Sequence, residues 1–225
     1  MNSKSSSKEL TEIFTIAFVS FIGILMTTAV NVNFPMLVKY FQLLLSNVQW
    51  ISTGAMITSA VTMVCSAYLD KRFNDKTVFL IATLALLLSL LICTFANNFG
   101  LFLVGRLFNG ISIGTCTPLM FNVIPKLVPS NKIGFYMALG ATVLAVGPSL
   151  GPTYGGFVNY YLSWRMIFLL VIPVIYFLVQ FTNISLSSLL IPNFTQVAIG
   201  VTSLCRLVVP CLINLVLDGR SSVTF

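Results

Sequence analysis

Residues Gly140–Gly156 read GATVLAVGPSLGPTYGG: five glycines and two prolines in seventeen positions, with no charge. In water such a stretch is a loop, because glycine forms helix poorly and an interior proline costs about 3 kcal/mol. Yet it continues the apolar run IGFYMAL, and its other residues are mostly small or apolar. At 3.6 residues per turn, Gly140, Gly147, Gly151 and Gly155 fall within an arc of roughly 80°. The last three make GxxxGxxxG. A face of small residues lets two helix backbones approach closely in lipid. Neighbouring helices can re-satisfy the carbonyls that Pro148 and Pro152 release. The stretch therefore reads as a bent membrane helix with a bare packing face.

Composition agrees. The chain has 225 residues, 57% hydrophobic and 8% charged, against about 25% charged in a soluble domain. A bilayer core of about 30 Å needs about 20 helical residues to cross it. Apolar runs of that order occur at Ile13–Met36, Val48–Leu69, Thr77–Ala96, Leu101–Ile124, Ile133–Val158 and Trp164–Phe181, with a weaker seventh at Val197–Leu217. The expected fold is an all-α polytopic membrane protein. It has a polar tail at 1–12, six spans over 13–181 and a divergent tail at 182–225.

The net charge of +7 comes from scattered residues, not from one basic face, so it is no sign of nucleic acid. It reads as topology instead. Lys4, Lys8, Lys71, Arg72, Lys76, Lys126 and Lys132 fall on one side of the spans, against Lys39 and Arg165 on the other. By the positive-inside rule the N-terminus is cytoplasmic. The run after the tail is too long for a signal-peptide core and reads as a retained span. A faint repeat also shows. NVNFP (Asn31–Pro35) closes the first span and NVIP (Asn122–Pro125) the fourth. Three spans per unit would invert the second unit, a recurring plan in secondary transporters.

Few side chains carry chemistry. Arg106 lies early in the fourth span. A central charge costs about 2.5–3.5 kcal/mol on insertion scales and normally faces the bundle interior, unless it snorkels to the interface. Gly110 and Gly114 share its face. Thr27, Thr28, Asn31 and Pro35 share one side of the first span, as packing contacts or as cavity lining. Arg206 falls within the weak seventh span. The five cysteines, Cys65, Cys93, Cys116, Cys205 and Cys211, lie in apolar runs without metal-ligand spacing and read as small buried hydrophobes. All five acids (Glu9, Glu12, Asp70, Asp75 and Asp218) fall outside the span interiors, and there is no histidine. No intramembrane group that titrates near neutral pH is available. No cofactor, metal or catalytic motif is visible, and no P-loop for ATP.

The spacing GxxxxxxGPxxGPxxGG from Gly140 resembles the fifth-span antiporter motif of the major facilitator superfamily, in its drug-exporting branches. VQWISTGAMI (Val48–Ile57), VGRLFNGISIG (Val104–Gly114) and SWRMIFLLVIP (Ser163–Pro173) resemble the family's second, fourth and sixth spans in the same order. The likeness covers roughly residues 20 to 175 and is greatest to the fourteen-span drug:proton antiporters. It implies a six-helix N-terminal bundle of two inverted three-helix repeats. It assigns Arg106 to proton coupling, with Asn31 and Asn109 beside it as coupling or cavity residues. Gly140, Gly147, Pro148, Gly151, Pro152, Gly155 and Gly156 become the antiporter motif, and Asp70, Lys71 and Arg72 the cytoplasmic gating loop. The chain departs from the family where the first-span acid is replaced by Met26. SAYLDKRFNDKTVFL matches the Gly-and-Asp gating pattern only loosely.

The resemblance implies export of amphipathic small molecules by proton antiport and alternating access. With six or seven spans the chain reads as an N-terminal half in the cell membrane, shortened by truncation or gene splitting. Its expected partners are the bilayer, protons, substrate and a separate C-terminal half. The rival reading is a non-transporting membrane fragment or an interaction subunit derived from such a transporter.

Overall fold

A computed structural model describes residues 3–175. The end of the sixth span and the whole seventh, with Cys205, Arg206 and Cys211, lie outside the described residues, as do the side chains of Asp70 and Lys71. The chain divides into two compact units, Met1–Val171 and Ile172–Phe225. Of the second unit only residues 172–175 are described, all helical. The rest of the account concerns the first.

Its elements are α1 (Ser3–Val32), α2 (Phe34–Phe41), α3 (Leu45–Arg72), α4 (Asp75–Phe95), α5 (Phe99–Leu127), α6 (Ile133–Tyr161) and α7 (Met166–Leu169). Five helices carry stretches long and apolar enough to cross a membrane, within α1, α3, α4, α5 and α6. Helix is the outcome these runs require, because hydrocarbon offers no partner for an exposed N–H or C=O. Asn74 and Asn98, both extended, precede α4 and α5.

Three boundaries differ from expectation. Helix α1 begins at Ser3, inside the polar tail, since nothing there breaks a helix. The first span ends at Val32, four residues short of Met36, and the chain restarts as α2. Pro35 sits in the first turn of α2; its ring would clash with the carbonyl of Asn31 in a continuous helix. The third is that α3 runs through to Arg72, so the expected gating loop is the last turn of a helix. By contrast, Pro118, Pro125, Pro148 and Pro152 lie inside unbroken α5 and α6.

Packing follows an inverted repeat. α1 packs along α6, α3 along α5, and α1 and α5 pack on each other at the centre. Exchanging the first three spans for the last three converts the α1–α6 contact into the α5–α3 contact. Directions agree. Gly147 and Gly151 meet Ile24 and Thr28 in order, so α6 runs parallel to α1. Gly110 and Gly114 meet Ala55 and Ser59 in order, so α5 runs parallel to α3. Gly23 meets Ile113 while Thr27 meets Asn109, so α1 and α5 are antiparallel.

Each end of the bundle has its own cluster. At the N-terminal end, Ile13, Ile16 and Ala17 pack with Val78, Leu119, Met120, Val123 and Ile124. At the opposite end, rings of Phe41, Phe102, Trp164 and Phe168 contact one another edge-on or tilted, joining α2, α5 and α7.

Candidate functional site

The central α1–α5 contact carries the polar layer. Thr27 Oγ1 lies 2.9 Å from Asn109 Oδ1 and 3.1 Å from Gly23 O, so its single proton serves either acceptor. Asn109 is fully buried and Arg106 is 1% exposed. One helical turn separates them on α5. Arg106 sits on the face between Asn109, which meets α1, and Gly110, which meets α3. The pairs Gly23–Ile113 and Thr27–Asn109 fix the register, so one further turn brings Asn31 level with Arg106. Arg106, Asn109 and Asn31, expected from the resemblance as coupling or cavity residues, thus lie within about one helical turn of one another along the α1–α5 crossing.

That layer is under-satisfied. Among the described residues, Arg106 Nε and Nη2, Asn109 Nδ2 and Asn31 Oδ1 are buried and find no hydrogen-bond partner. Met26, where the family pattern has its acid, is fully buried. A buried unpaired polar group is costly, and the described residues supply no partner for these four atoms.

The glycine-rich motif separates into parts. Gly140, Gly147, Gly151 and Gly155 are buried. A methyl group on Gly151 would collide with Thr28 Oγ1 and lie 2.8 Å from Thr28 Cβ and 3.0 Å from Leu25 O. One on Gly155 would lie 2.5 Å from Ala29 O. One on Gly147 would meet the side chains of Ile24, at 3.1 Å, and Phe21, at 3.6 Å, and one on Gly140 the end of Met120. Gly156 faces open space, and Pro148 and Pro152 are exposed beside the stripe. Gly156 therefore does not belong to the packing face; it lies a full 100° step past Gly155.

Of the residues expected in the gating loop, Arg72 is not brought to this layer. Arg72 is exposed and donates from Nη1 to Tyr68 Oη at 2.9 Å. Asp75 pairs with Lys126 at 2.8 Å, linking the start of α4 to the end of α5. Cys93 and Cys116 are buried, but Cys65 is exposed on α3, contrary to its reading as a buried small hydrophobe.

Two ties were not singled out from sequence. Asn33 Nδ2 donates to Ala29 O at 2.8 Å and Gly155 O at 3.3 Å, pinning the α1–α2 break onto α6. Arg165 Nη2 donates to Tyr40 Oη at 2.7 Å and Asn97 Oδ1 at 2.9 Å. Its guanidinium carbon lies 5.5 Å from the Tyr40 ring and 5.3 Å from the Trp164 ring. The signal for Asn33 was local: an asparagine two residues before a proline marks a helix break. Nothing local announces the partners of Arg165.

Five apolar helices arranged as an inverted repeat, with a buried arginine at the centre, follow a plan that recurs in secondary transporters. The chain matches the Major Facilitator Superfamily over residues 16–203, and it belongs to that family. It is 32% identical to the Uncharacterized MFS-type transporter YhcA of Bacillus subtilis, over 68% of this chain and 29% of that protein. It is 28% identical to the Lincomycin resistance protein LmrB of Listeria monocytogenes, over 68% of this chain and 32% of that protein. It is 27% identical to the Putative multidrug resistance protein MdtD of Pectobacterium atrosepticum, over 94% of this chain and 45% of that protein. The chain thus spans less than half the length of these relatives. It is a multi-pass membrane protein of a family of transporters, not of enzymes.

Proposed function

We propose that this chain is the N-terminal part of a secondary transporter that exports amphipathic small molecules by proton antiport and alternating access. The observation that carries the reading is the buried Arg106–Asn109–Thr27 layer at the α1–α5 crossing, the centre of the inverted repeat. Relatives named for multidrug and lincomycin resistance support the substrate class. The seven basic residues at the N-terminal end against two at the other support a cytoplasmic N-terminus.

Arg106, Asn109 and Asn31 line the cavity in this reading. The buried glycines of α6 let α1 and α6 move as one tightly packed pair. Asp70, Lys71 and Arg72 mark the cytoplasmic end of α3, where Lys126–Asp75 ties α5 to α4. An arginine guanidinium does not release its proton in the working pH range, and no span interior here holds Asp, Glu or His. The proton-carrying group therefore belongs to a second six-span half, the partner the reading requires. The same observation favours the rival for the 225 residues by themselves: a membrane fragment that does not transport.

The test is co-reconstitution with the C-terminal half of a relative such as LmrB. A pH gradient is expected to drive export of an amphipathic dye, and Arg106→Ala to abolish it. Dye movement unchanged by Arg106→Ala would remove the layer from the mechanism. Labelling of single cysteines from outside intact cells tests orientation. Position 98 is expected to label and position 74 to stay protected; the reverse would invert the topology.

A further inference from the structure

Arg106 presents a more specific feature than a buried charge. Its two unpartnered nitrogens, Nε and Nη2, form one edge of the guanidinium. That edge is a fork of two parallel N–H donors, matched to the two oxygens of a carboxylate. Asn109 Nδ2, one helical turn away, is a third buried donor without a partner. Three donors and a positive charge stand together in a layer where the described spans hold no acid. A cationic ligand, the usual expectation for a drug exporter, would be repelled there.

We propose that the Arg106 fork, with Asn109, is a carboxylate-binding site. It takes either the carboxylate of a small amphipathic substrate or an acidic side chain from the second half. The inference rests on the reading of this layer as cavity lining and narrows it to anionic ligands. A bidentate pair satisfies both orphaned nitrogens at once and neutralises the buried charge. A halide offers no pair of oxygens matched to the two parallel N–H donors, and a neutral amide leaves the charge in place, so carboxylate is preferred over both.

The experiment is a thermal melt of the purified 225-residue chain in detergent, with benzoate as probe and its neutral isostere benzamide as control. Benzoate at tenfold excess over half-saturation is expected to raise the midpoint by roughly 4 °C, and benzamide to leave it unchanged. Arg106→Gln removes the fork and abolishes the benzoate shift. Arg106→Lys keeps the charge but not the fork and is expected to weaken benzoate at least tenfold; it also serves should the glutamine variant fail to fold. Asn109→Asp places a carboxylate beside the arginine, and is expected to raise the starting midpoint and remove the response.

Repeating the titration on the chain assembled with a relative's C-terminal half distinguishes the two sources. A retained benzoate shift assigns the site to substrate, and a lost shift assigns it to an acid of that half. No benzoate shift in the isolated chain, an equal shift with benzamide, or an undiminished shift in Arg106→Gln would overturn the proposal. Because the readout is binding, its failure is distinct from a failure to transport.

Discussion

The α1–α6 and α3–α5 crossings are counterparts under the inverted repeat, yet they are built differently. In the first, the small residues belong to the fifth span: Gly147, Gly151 and Gly155 face Ile24, Thr28 and Ala29. In the second, they belong to the fourth: Gly110 and Gly114 face Ala55, Thr58, Ser59 and Thr62. The fourth span is the counterpart of the first, not of the fifth. The bare side has therefore changed partners between the two repeats. Close approach needs a missing side chain on one helix only, so the backbone arrangement recurs while the residues that permit it do not.

The obstacles differ as well. A methyl group on Gly110 or Gly114 would collide with a backbone carbonyl, of Ala55 or Ser59. In the first crossing Gly155 also meets a backbone carbonyl, that of Ala29, but at Gly151 the first obstacle is the side chain of Thr28. The largest expected effect is accordingly at the α3–α5 crossing. Gly114→Leu and Gly110→Leu should each lower detergent stability at least as much as Gly151→Leu, and overpacking typically costs about 1–3 kcal/mol. A bulky residue at Val146, off the stripe, should cost far less. Equal melting midpoints for all four would erase the distinction between stripe and surface.

A double-mutant cycle sharpens the contrast. Thr28→Gly should recover part of the loss caused by Gly151→Ala, because it removes the nearest obstacle. Thr58→Gly should recover little of the loss caused by Gly110→Ala, because the carbonyl of Ala55 stays. The expected coupling is about 1 kcal/mol for the first pair and near zero for the second. The reverse order would mean that the two crossings are limited by the same kind of contact.

The two ends of the bundle form a second, weaker pair of counterparts. Lys126–Asp75 ties the fourth span to the third, and Tyr40–Arg165 ties the first span's extension to the sixth. Lys126 and Asp75 are 53% and 32% exposed, so Lys126→Met should cost less than about 1 kcal/mol. Arg165→Ala loses charge-assisted hydrogen bonds and two ring contacts, and should cost about 1–3 kcal/mol. Thermal midpoints of the two variants at low and high salt check this; only the Lys126 variant should approach the parent at high salt. The smallest effect has the opposite sign. Gly156→Ala meets nothing within 4 Å and should stabilise α6 by up to about 1 kcal/mol.

Much of this was legible beforehand, for identifiable reasons. Long apolar runs in hydrocarbon leave the backbone one choice, so the first five spans were located to within a few residues. The glycine stripe followed from helical phase alone, and the same phase sets Gly156 apart. The short match between Asn31–Pro35 and Asn122–Pro125 pointed to the repeat, though the two prolines act differently. Pro35 opens a new helix, while Pro125 lies inside α5. Sequence could not supply contacts between distant segments. Arg165 reaches Tyr40 across 125 residues, and Asn33 reaches Gly155 across 122. Single-chain periodicity shows which side of a helix is buried, not which atom waits opposite. The unpaired edge of Arg106 is of that kind: its position in the fourth span was evident, its lack of a partner was not.

The central claim is that Arg106 shapes the site while the proton is carried elsewhere. Its most direct test is proton flux in liposomes holding the 225-residue chain alone, with an amphipathic dye inside and a pH-sensitive fluorophore as reporter. The account predicts no substrate-dependent proton movement above empty liposomes, because neither Arg106 nor Met26 can exchange a proton across the layer. Substrate-dependent flux that disappears with Arg106→Ala would contradict it, and would place the proton site within these 225 residues.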